Sequence, residues 1–182
     1  MSNLRRATVD DAAELTRLRG LMHTAMGGDA TDAQWQAACT EAFVRRLPQT
    51  DAFVAFVVEV DGRFVSSGAG WLEEHIPSPS QHDGRRGHIA SISTEAEHQR
   101  KGYAREVFGA LMAWFAAQGI PRVDLRATPD GRPLYEAFGF TVLGGATMAW
   151  TRPGVNPGMP RVTSGLPGVT SGLPGGDLDL RC

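Results

Sequence analysis

A glycine turn between a β-branched segment and an amphipathic segment constrains the fold of this chain most. The β-branched segment, which favours a strand, is Ile89-Ala90-Ser91-Ile92-Ser93-Thr94, and apolar residues recur at helical spacing after residue 103. The two are joined by Gln99-Arg100-Lys101-Gly102-Tyr103-Ala104. Glycine lets the backbone approach a ligand closely, and a helix start leaves N–H groups without intrahelical partners. With Arg100, Lys101 and Arg105 beside it, the turn predicts a site for a phosphate-bearing ligand.

A second segment makes this interpretation more specific. By itself, the turn is equally compatible with a tight strand-to-helix connection whose basic side chains are solvated. It fits the pattern Q/R-x-x-G-x-G/A of the GCN5-related N-acetyltransferases. At the expected distance downstream, a second segment resembles that superfamily's second signature. This segment is Gly131-Arg132-Pro133-Leu134-Tyr135-Glu136-Ala137-Phe138-Gly139-Phe140. The chain therefore resembles this superfamily from Leu4 to Arg152, most strongly from His88 to Phe140.

The resemblance implies a fold and a cosubstrate. The fold is of the α/β class, with a mixed, mostly antiparallel sheet, helices on both faces, and parallel strands 4 and 5 that splay apart to admit acetyl-CoA. Backbone N–H groups that would hold the diphosphate belong to Arg100, Lys101, Gly102, Tyr103 and Ala104. The pantetheine arm would bind main-chain groups of Ile92, Ser93 and Thr94. Ala104 replaces glycine at the last motif position, which the superfamily tolerates.

Three side chains are candidates for proton transfer. The resemblance implies that Tyr135 faces the cofactor sulfur, where a phenol of pKa about 10 is matched to protonating a thiolate; the alternative is a tyrosine that packs on the sheet. Glu73 and Glu74 are candidate bases, because an amine of pKa about 10 is mostly protonated near neutral pH. Strand alternation lets only one of them point into the cleft, and both could instead be solvated loop residues. No acidic residue on strand four offers itself as a base, so a route through water stays open.

Hydrophobic spacing and turn residues predict the order of the elements. Strands are predicted over residues 4–7, 52–60, 63–71, 88–94 and 122–127, with one or two more over 140–151. Helices are predicted from Thr8 to the Gly27-Gly28 break, from Thr31-Asp32 to Pro48, from the glycine turn to Gly119, and over 133–138. The Asp61-Gly62 hairpin makes its strands antiparallel, and the strand-helix-strand crossover makes strands 4 and 5 parallel. Residues 73–87 lack a regular period and are predicted to form a substrate-side flap.

Composition limits the domain organisation and the function classes. A chain of 182 residues with 42% hydrophobic content supports one core, assigned to a domain over residues 1–153. Beyond Arg152, proline and glycine dominate, and Val162–Gly168 is repeated as Val169–Gly175, which predicts a disordered tail over 154–182. The net charge of −2 gives nucleic-acid binding little support.

Location and metal content follow from what the sequence lacks. No apolar stretch approaches the roughly 20 residues that span a bilayer, and the start has no apolar leader, so a cytoplasmic location and no membrane contact are expected. The five histidines lack metal-site spacing, so no metal is expected. Cys39 and Cys182 are a poor basis for a disulfide, and Cys39 is interpreted as a small core residue.

The expected function is that of an acetyl-CoA-dependent N-acetyltransferase that moves an acetyl group directly to a primary amine of a small molecule or protein. The alternative is a non-catalytic acyl-CoA-binding regulatory module. A Rossmann dinucleotide-binding domain would need a G-x-G-x-x-G turn near the first strand, which the sequence lacks. The sequence leaves a homodimer open.

Overall fold

A computed structural model describes residues 2–79, 81–144, 150 and 152–153. Within these residues, one five-stranded sheet has the strand order β1-β2-β3-β4-β5. The strands are β1 Ser2–Arg6, β2 Phe53–Val60, β3 Arg63–Glu74, β4 Arg85–Thr94 and β5 Val123–Leu125. The α-helices are α1 Ala12–Ala25, α2 Ala33–Arg46, α3 Tyr103–Ala117 and α4 Arg132–Glu136, and short 3-10 turns span Val9–Asp11 and Ala96–His98.

The pairing of the strands confirms the predicted topology. β1, β2, β3 and β4 pair antiparallel in succession, whereas β4 and β5 are parallel. β4 and β5 share only the pairs from Gly87↔Val123 to Ile89↔Leu125. The remaining half of β4, residues 90–94, extends past β5 without a partner on that side among the described residues. The sheet therefore opens along the second half of β4.

The sheet separates two hydrophobic cores, because alternate residues of its strands point to opposite faces. On one face, Phe53, Ala55 and Val57 of β2 pack in the cluster that contains Leu15 and Phe43 of the first two helices. On the other face, the cluster combines Val54 and Val58 of β2 with α3 residues that include Phe108, Leu111 and Phe115. Each large apolar side chain buried in this way contributes about 1.5–3 kcal/mol. Helices thus cover both faces, as predicted.

Polar side chains fix where the first two helices begin. Arg5 donates two hydrogen bonds to the Asp11 carboxylate, at 2.7 and 2.8 Å, and the Thr8 N–H donates to the same carboxylate at 2.7 Å. The first helix therefore starts through a 3-10 turn at the predicted position. Asp32 accepts a hydrogen bond from the Gln34 N–H at 2.8 Å and so caps α2.

Two boundary predictions are wrong. The predicted flap over 73–87 is shorter, because β3 continues to Glu74 and β4 already begins at Arg85. Opposite charges directly across the two strands, in the pairs Glu73↔Arg86 and Glu74↔Arg85, extend the ladder. The fifth strand covers only Val123–Leu125 of the predicted 122–127.

The end of the chain is described only in part. Residues 140–144 contain no strand, and the rest of the strand prediction over 140–151 falls largely on residues outside the described ones. The predicted tail over 154–182 also lies outside them. In the described part of the chain, no helix is both long and apolar enough to cross a membrane.

Candidate active site

The start of α3 has the backbone geometry of an anion site. Arg100 and Gly102 adopt left-handed φ angles of 63° and 93°, and they turn the chain into the helix. A Cβ placed on Gly102 would meet no atom within 4 Å, so the space in front of it is open. The N–H groups of Tyr103 and Ala104 donate to no oxygen of the described residues. Free N–H groups at the positive end of a helix dipole attract an anion. We call residues 100–104 the cradle.

Basic side chains surround the cradle. Arg100 and Lys101 are exposed and form no ion pair with any described carboxylate. Arg105 is held along the helix, with its guanidinium carbon 5.2 Å from the centre of the Phe138 ring. The local charge is therefore positive although the whole chain carries a net charge of −2.

A β-bulge interrupts β4 beside the gap in the sheet. Ser67 pairs with Ser93 and Ala69 pairs with Ala90, so Ser91 and Ile92 together face only Gly68. Ser91 adopts a left-handed φ of 61°, which is uncommon for a residue with a Cβ. A bulge leaves the extra residue's backbone groups unpaired and turns them out of the ladder. This bulge is not visible in the sequence, since a serine within a β-branched run predicts a regular strand.

Of the three predicted pantetheine contacts, Ile92 belongs to the bulge, and Ser93 and Thr94 follow it directly. Ile92 packs half-buried against the α3 core. The Ser93 hydroxyl donates to the Leu18 carbonyl at 2.7 Å, and the Thr94 hydroxyl lies 2.8 Å from the Ser66 hydroxyl. These side chains therefore anchor β4 to its neighbours. Any ligand in the gap would contact the backbone of this segment.

Tyr135 lies on α4, where it both packs and keeps a free hydroxyl. Its ring centre is 5.2 Å from that of Phe108 and 6.5 Å from that of Phe140. The hydroxyl is not hydrogen-bonded to any described residue and lies over Gly131, where an added Cβ would be 3.2 Å from it. Burial raises the pKa of Tyr135 above its usual value of 10.0. The phenol therefore stays protonated near neutral pH and can donate.

The two glutamates at the end of β3 differ in their surroundings. Glu74 is exposed, whereas Glu73 is half-buried and accepts a hydrogen bond from the Trp71 indole N–H at 3.0 Å. The other Glu73 oxygen lies 3.3 Å from Nε2 of His75. Neighbouring residues of a strand point to opposite faces, so only Glu73 joins Trp71 on the α1/α2 face.

His88 completes a cluster that was missed in the sequence. Its Nδ1 lies 3.8 Å from Oε1 of Glu73, and its ring centre is 4.5 Å from that of Trp71. On the other side, the Arg46 guanidinium carbon lies 4.9 Å from the Trp71 ring. The sequence does not indicate a role for His88, because the register that pairs Trp71 with His88 is not visible in it. We call Glu73, Trp71 and His88 the acid-histidine cluster.

The predicted site residues form two groups along β4. The cradle and residues 92–94 lie at its C-terminal end, whereas Glu73 pairs with Arg86 near its start. Arg86 and Ser91 are five residue steps apart along the strand, or roughly 17 Å, and His88 and Ser91 are three steps apart, or roughly 10 Å. Tyr135 packs in the core of the α3 face, so it does not contact Glu73. No three metal-ligating side chains converge in the part of the chain that the structure describes.

Comparisons with known proteins place the chain among acetyltransferases. Residues 20–140 match the family model of the acetyltransferase (GNAT) family. A predicted acetyltransferase from Clostridium acetobutylicum, solved with acetyl-CoA, is similar in structure, with a TM-score of 0.75, 22% identity, and coverage of 82% of this chain and 96% of that chain. A GCN5-related N-acetyltransferase from Ralstonia eutropha JMP134 is similar with a TM-score of 0.73, 26% identity, and coverage of 82% and 99%.

A third similar structure is glucosamine-6-phosphate N-acetyltransferase from Arabidopsis thaliana. It has a TM-score of 0.67 and 18% identity, and the match covers 82% of this chain and 98% of that chain. No curated protein sequence gave a significant match.

Proposed function

The chain belongs to the acetyltransferase (GNAT) family, and from this premise we propose that it transfers the acetyl group of acetyl-CoA directly to a primary amine of a small molecule or a protein. The observation that carries the proposal is the opening of the sheet beside the cradle. Residues 90–94 of β4 have no described strand on one side, and the open space at Gly102 lies just beyond them. This arrangement suits a long ligand with a diphosphate at one end.

The cradle fits the diphosphate of coenzyme A. Free N–H groups of Tyr103 and Ala104, the open space at Gly102, and the charges of Arg100 and Lys101 all favour a multiply charged anion. We propose that the main chain of residues 92–94 then holds the pantetheine arm along β4. When bound, acetyl-CoA supplies an activated acetyl group: the new C–N bond replaces the C–S bond, the amine loses a proton and the sulfur gains one.

The bulge is proposed to polarise the thioester carbonyl. The backbone N–H groups near Ser91 and Ile92 are displaced from the ladder with β3 and are thus available as donors. A donor aimed at an oxygen that gains negative charge stabilises the transition state, and removing one such donor costs about 2.7–4 kcal/mol in known cases. Because this donor is a backbone group, it depends on the bulge and not on side-chain identity.

The acid-histidine cluster is proposed to remove the proton from the amine. His88 lies on the same strand as the bulge and faces α1 and α2, and its Nδ1 is 3.8 Å from Oε1 of Glu73. The strand distance of roughly 10 Å favours transfer through water. Glu74 is not assigned a role, because its exposed side chain points away from this cluster.

Tyr135 is proposed to protonate the departing thiolate. Its raised pKa keeps the phenol neutral, and its hydroxyl is not engaged by a described residue. Because a thiol, with a pKa of about 8.5, is a stronger acid than this phenol, the hydroxyl donates a hydrogen bond to the developing thiolate, and the proton that the amine releases replaces the one that the phenol passes to sulfur.

The experiment that tests the proposed function measures thiol release from acetyl-CoA with a panel of amines, together with the mass of the acetylated product. We expect amine-dependent release that is stoichiometric with an increase in product mass of one acetyl group. Acetyl-CoA binding by calorimetry without release across the panel would support a non-catalytic acyl-CoA-binding module instead.

A further inference from the structure

We infer that the acceptor carries a carboxylate near its amine, and that Arg19 on α1 binds this carboxylate. The inference rests on the proposed function, since it names the class of acceptor that the same site takes. It excludes an internal lysine side chain of a protein as the preferred acceptor, because such an amine has no free carboxylate beside it.

Arg19 reaches the bulge from the α1 side. Its Nη1 donates to the hydroxyl of Ser91, the residue with the left-handed φ. The guanidinium is partly buried, and the structure shows no described carboxylate within ion-pair distance of it. Arg17, two residues earlier on the same helix, is paired with Glu14 at 2.8 Å and with Glu95 at 2.6 Å. Arg19, which contacts the bulge, therefore lacks the carboxylate partners that Arg17 has on the same helix.

A guanidinium in this position has unused binding capacity. It carries five N–H donors, and the Ser91 hydroxyl can accept hydrogen bonds from only some of them. A carboxylate binds a guanidinium through two parallel hydrogen bonds, which fixes orientation as well as adding energy. Burial of an uncompensated charge is unfavourable, so a ligand that supplies the missing anion gains affinity.

A second polar group beside Arg19 also has no partner. Nε2 of His23, one turn further along α1, is buried and forms no hydrogen bond within the described residues. Burial first, and the Arg19 charge second, lower the pKa of His23 below its usual value of 6.5, so the ring is neutral near neutral pH. The ring is held edge-on against Trp35, with ring centres 5.4 Å apart. This pair of groups on one side of α1 suits a small polar acceptor.

Two anions could meet Arg19: a carboxylate of the acceptor or a phosphate of the coenzyme. The cradle already provides for the phosphates at the start of α3, whereas Arg19 contacts Ser91, where the acetyl group is proposed to lie. Position therefore favours the acceptor. The test must still distinguish the two sources.

The test compares α-amino acids with their carboxamides as acceptors, using kcat/KM from thiol release. We expect the wild-type chain to prefer the carboxylate form by at least about tenfold, which corresponds to about 1.4 kcal/mol. In Arg19→Gln the preference should fall to near one, through a higher KM for the amino acid, and Arg19→Lys should retain part of it. The matched control is Arg45→Gln, because Arg45 is exposed on α2 and has only a 3.9 Å contact to Glu41. This variant should keep the wild-type preference.

The outcomes separate this inference from the proposed function. Turnover with equal kcat/KM for both acceptor forms, or an unchanged preference in Arg19→Gln, overturns the inference and leaves acetyl transfer intact. A higher KM for acetyl-CoA in Arg19→Gln with the same acceptor preference assigns the arginine to a coenzyme phosphate and also overturns it. Absence of thiol release with every acceptor contradicts the proposed function, and this inference falls with it.

Discussion

Tyr135 combines a ring that packs on Phe108 with a hydroxyl that forms no hydrogen bond to a described residue. Burial raises its pKa, so the proton is retained well above neutral pH. The sequence leaves packing and proton donation as alternatives, and in the structure the ring contacts leave the hydroxyl without a hydrogen bond to a described residue. The packing and proton-donor interpretations therefore agree on the ring, and they differ only in whether the hydroxyl takes part in the reaction.

We predict that Tyr135→Phe lowers kcat by about a hundredfold, because loss of a general acid costs that order of rate. The variant keeps the ring that packs on Phe108, so the melting temperature and the KM for acetyl-CoA should change little. Steady-state thiol release with a good acceptor measures both constants. Equal kcat in the variant and the wild type would remove Tyr135 from the mechanism.

We predict that Gly102→Val weakens acetyl-CoA binding at least about tenfold, because a branched side chain would occupy the open space that the diphosphate needs. Gly119→Val is a matched control at the other end of α3. Gly119 also has a positive φ, 68° against 93°, and open space around its Cβ position. Both variants should lose similar stability, but calorimetry should show lower affinity only for Gly102→Val. Equal affinities in the two variants would argue against the cradle.

β4 and the starts of the helices position the residues of the candidate site. Some of these features could be predicted from the sequence and others could not. The backbone turn of the cradle could be predicted because it depends on local geometry that a glycine and a helix start specify, whereas the role of Tyr135 is implied by the family resemblance and stays a prediction. The bulge at Ser91 and the acid-histidine cluster were missed, because both depend on how β3 pairs with β4. The alternation of side chains along a strand determines the face on which each side chain lies. It does not determine which residue of the neighbouring strand lies opposite, so cross-strand partners cannot be predicted from it.

We predict that Gly68→Ala destabilises the fold by about 1–3 kcal/mol and lowers turnover. A Cβ on Gly68 would lie 2.8 Å from Val107 Cγ1 and still closer to Ile92 Cδ1, so these side chains, or the bulged segment that carries Ile92, would have to shift. Gly109→Ala is the control, since its Cβ would meet only Phe138 at 3.9 Å, and it lies within α3, where alanine is favourable. Denaturant unfolding and thiol release measure the two effects. Full turnover in Gly68→Ala would show that the bulge does not position the reacting group.

The start of α1 gives a pH-dependent prediction. Hydrogen bonds from Arg5, the largest cause, lower the pKa of Asp11 below its usual value of 3.8. The folded state therefore binds this proton less readily than the unfolded state, and the resulting stability is present above pH 3.8 and lost as pH falls through the lower, folded-state pKa. Asp11→Asn should be less stable by about 1.5–3 kcal/mol at pH 7. Urea unfolding at several pH values should show the difference shrinking in acid; a constant difference would contradict this origin.

In the proposed arrangement, coenzyme and acceptor reach one point from different sides of the sheet. The cradle and α4 serve the gap beyond β5, whereas Arg19, His23 and the acid-histidine cluster face α1 and α2. The bulge is the place where the two sides meet. Separate binding of coenzyme and acceptor follows, so loss of an acceptor contact should leave coenzyme affinity intact.

The most direct measurement of this arrangement is amide hydrogen exchange with and without acetyl-CoA. We predict slower exchange in peptides that cover residues 90–94 and 100–106 when acetyl-CoA is present, and no change in β1, which pairs at the opposite edge of the sheet. If acetyl-CoA binds while exchange at the start of α3 and the second half of β4 stays the same, the ligand does not lie in the proposed gap.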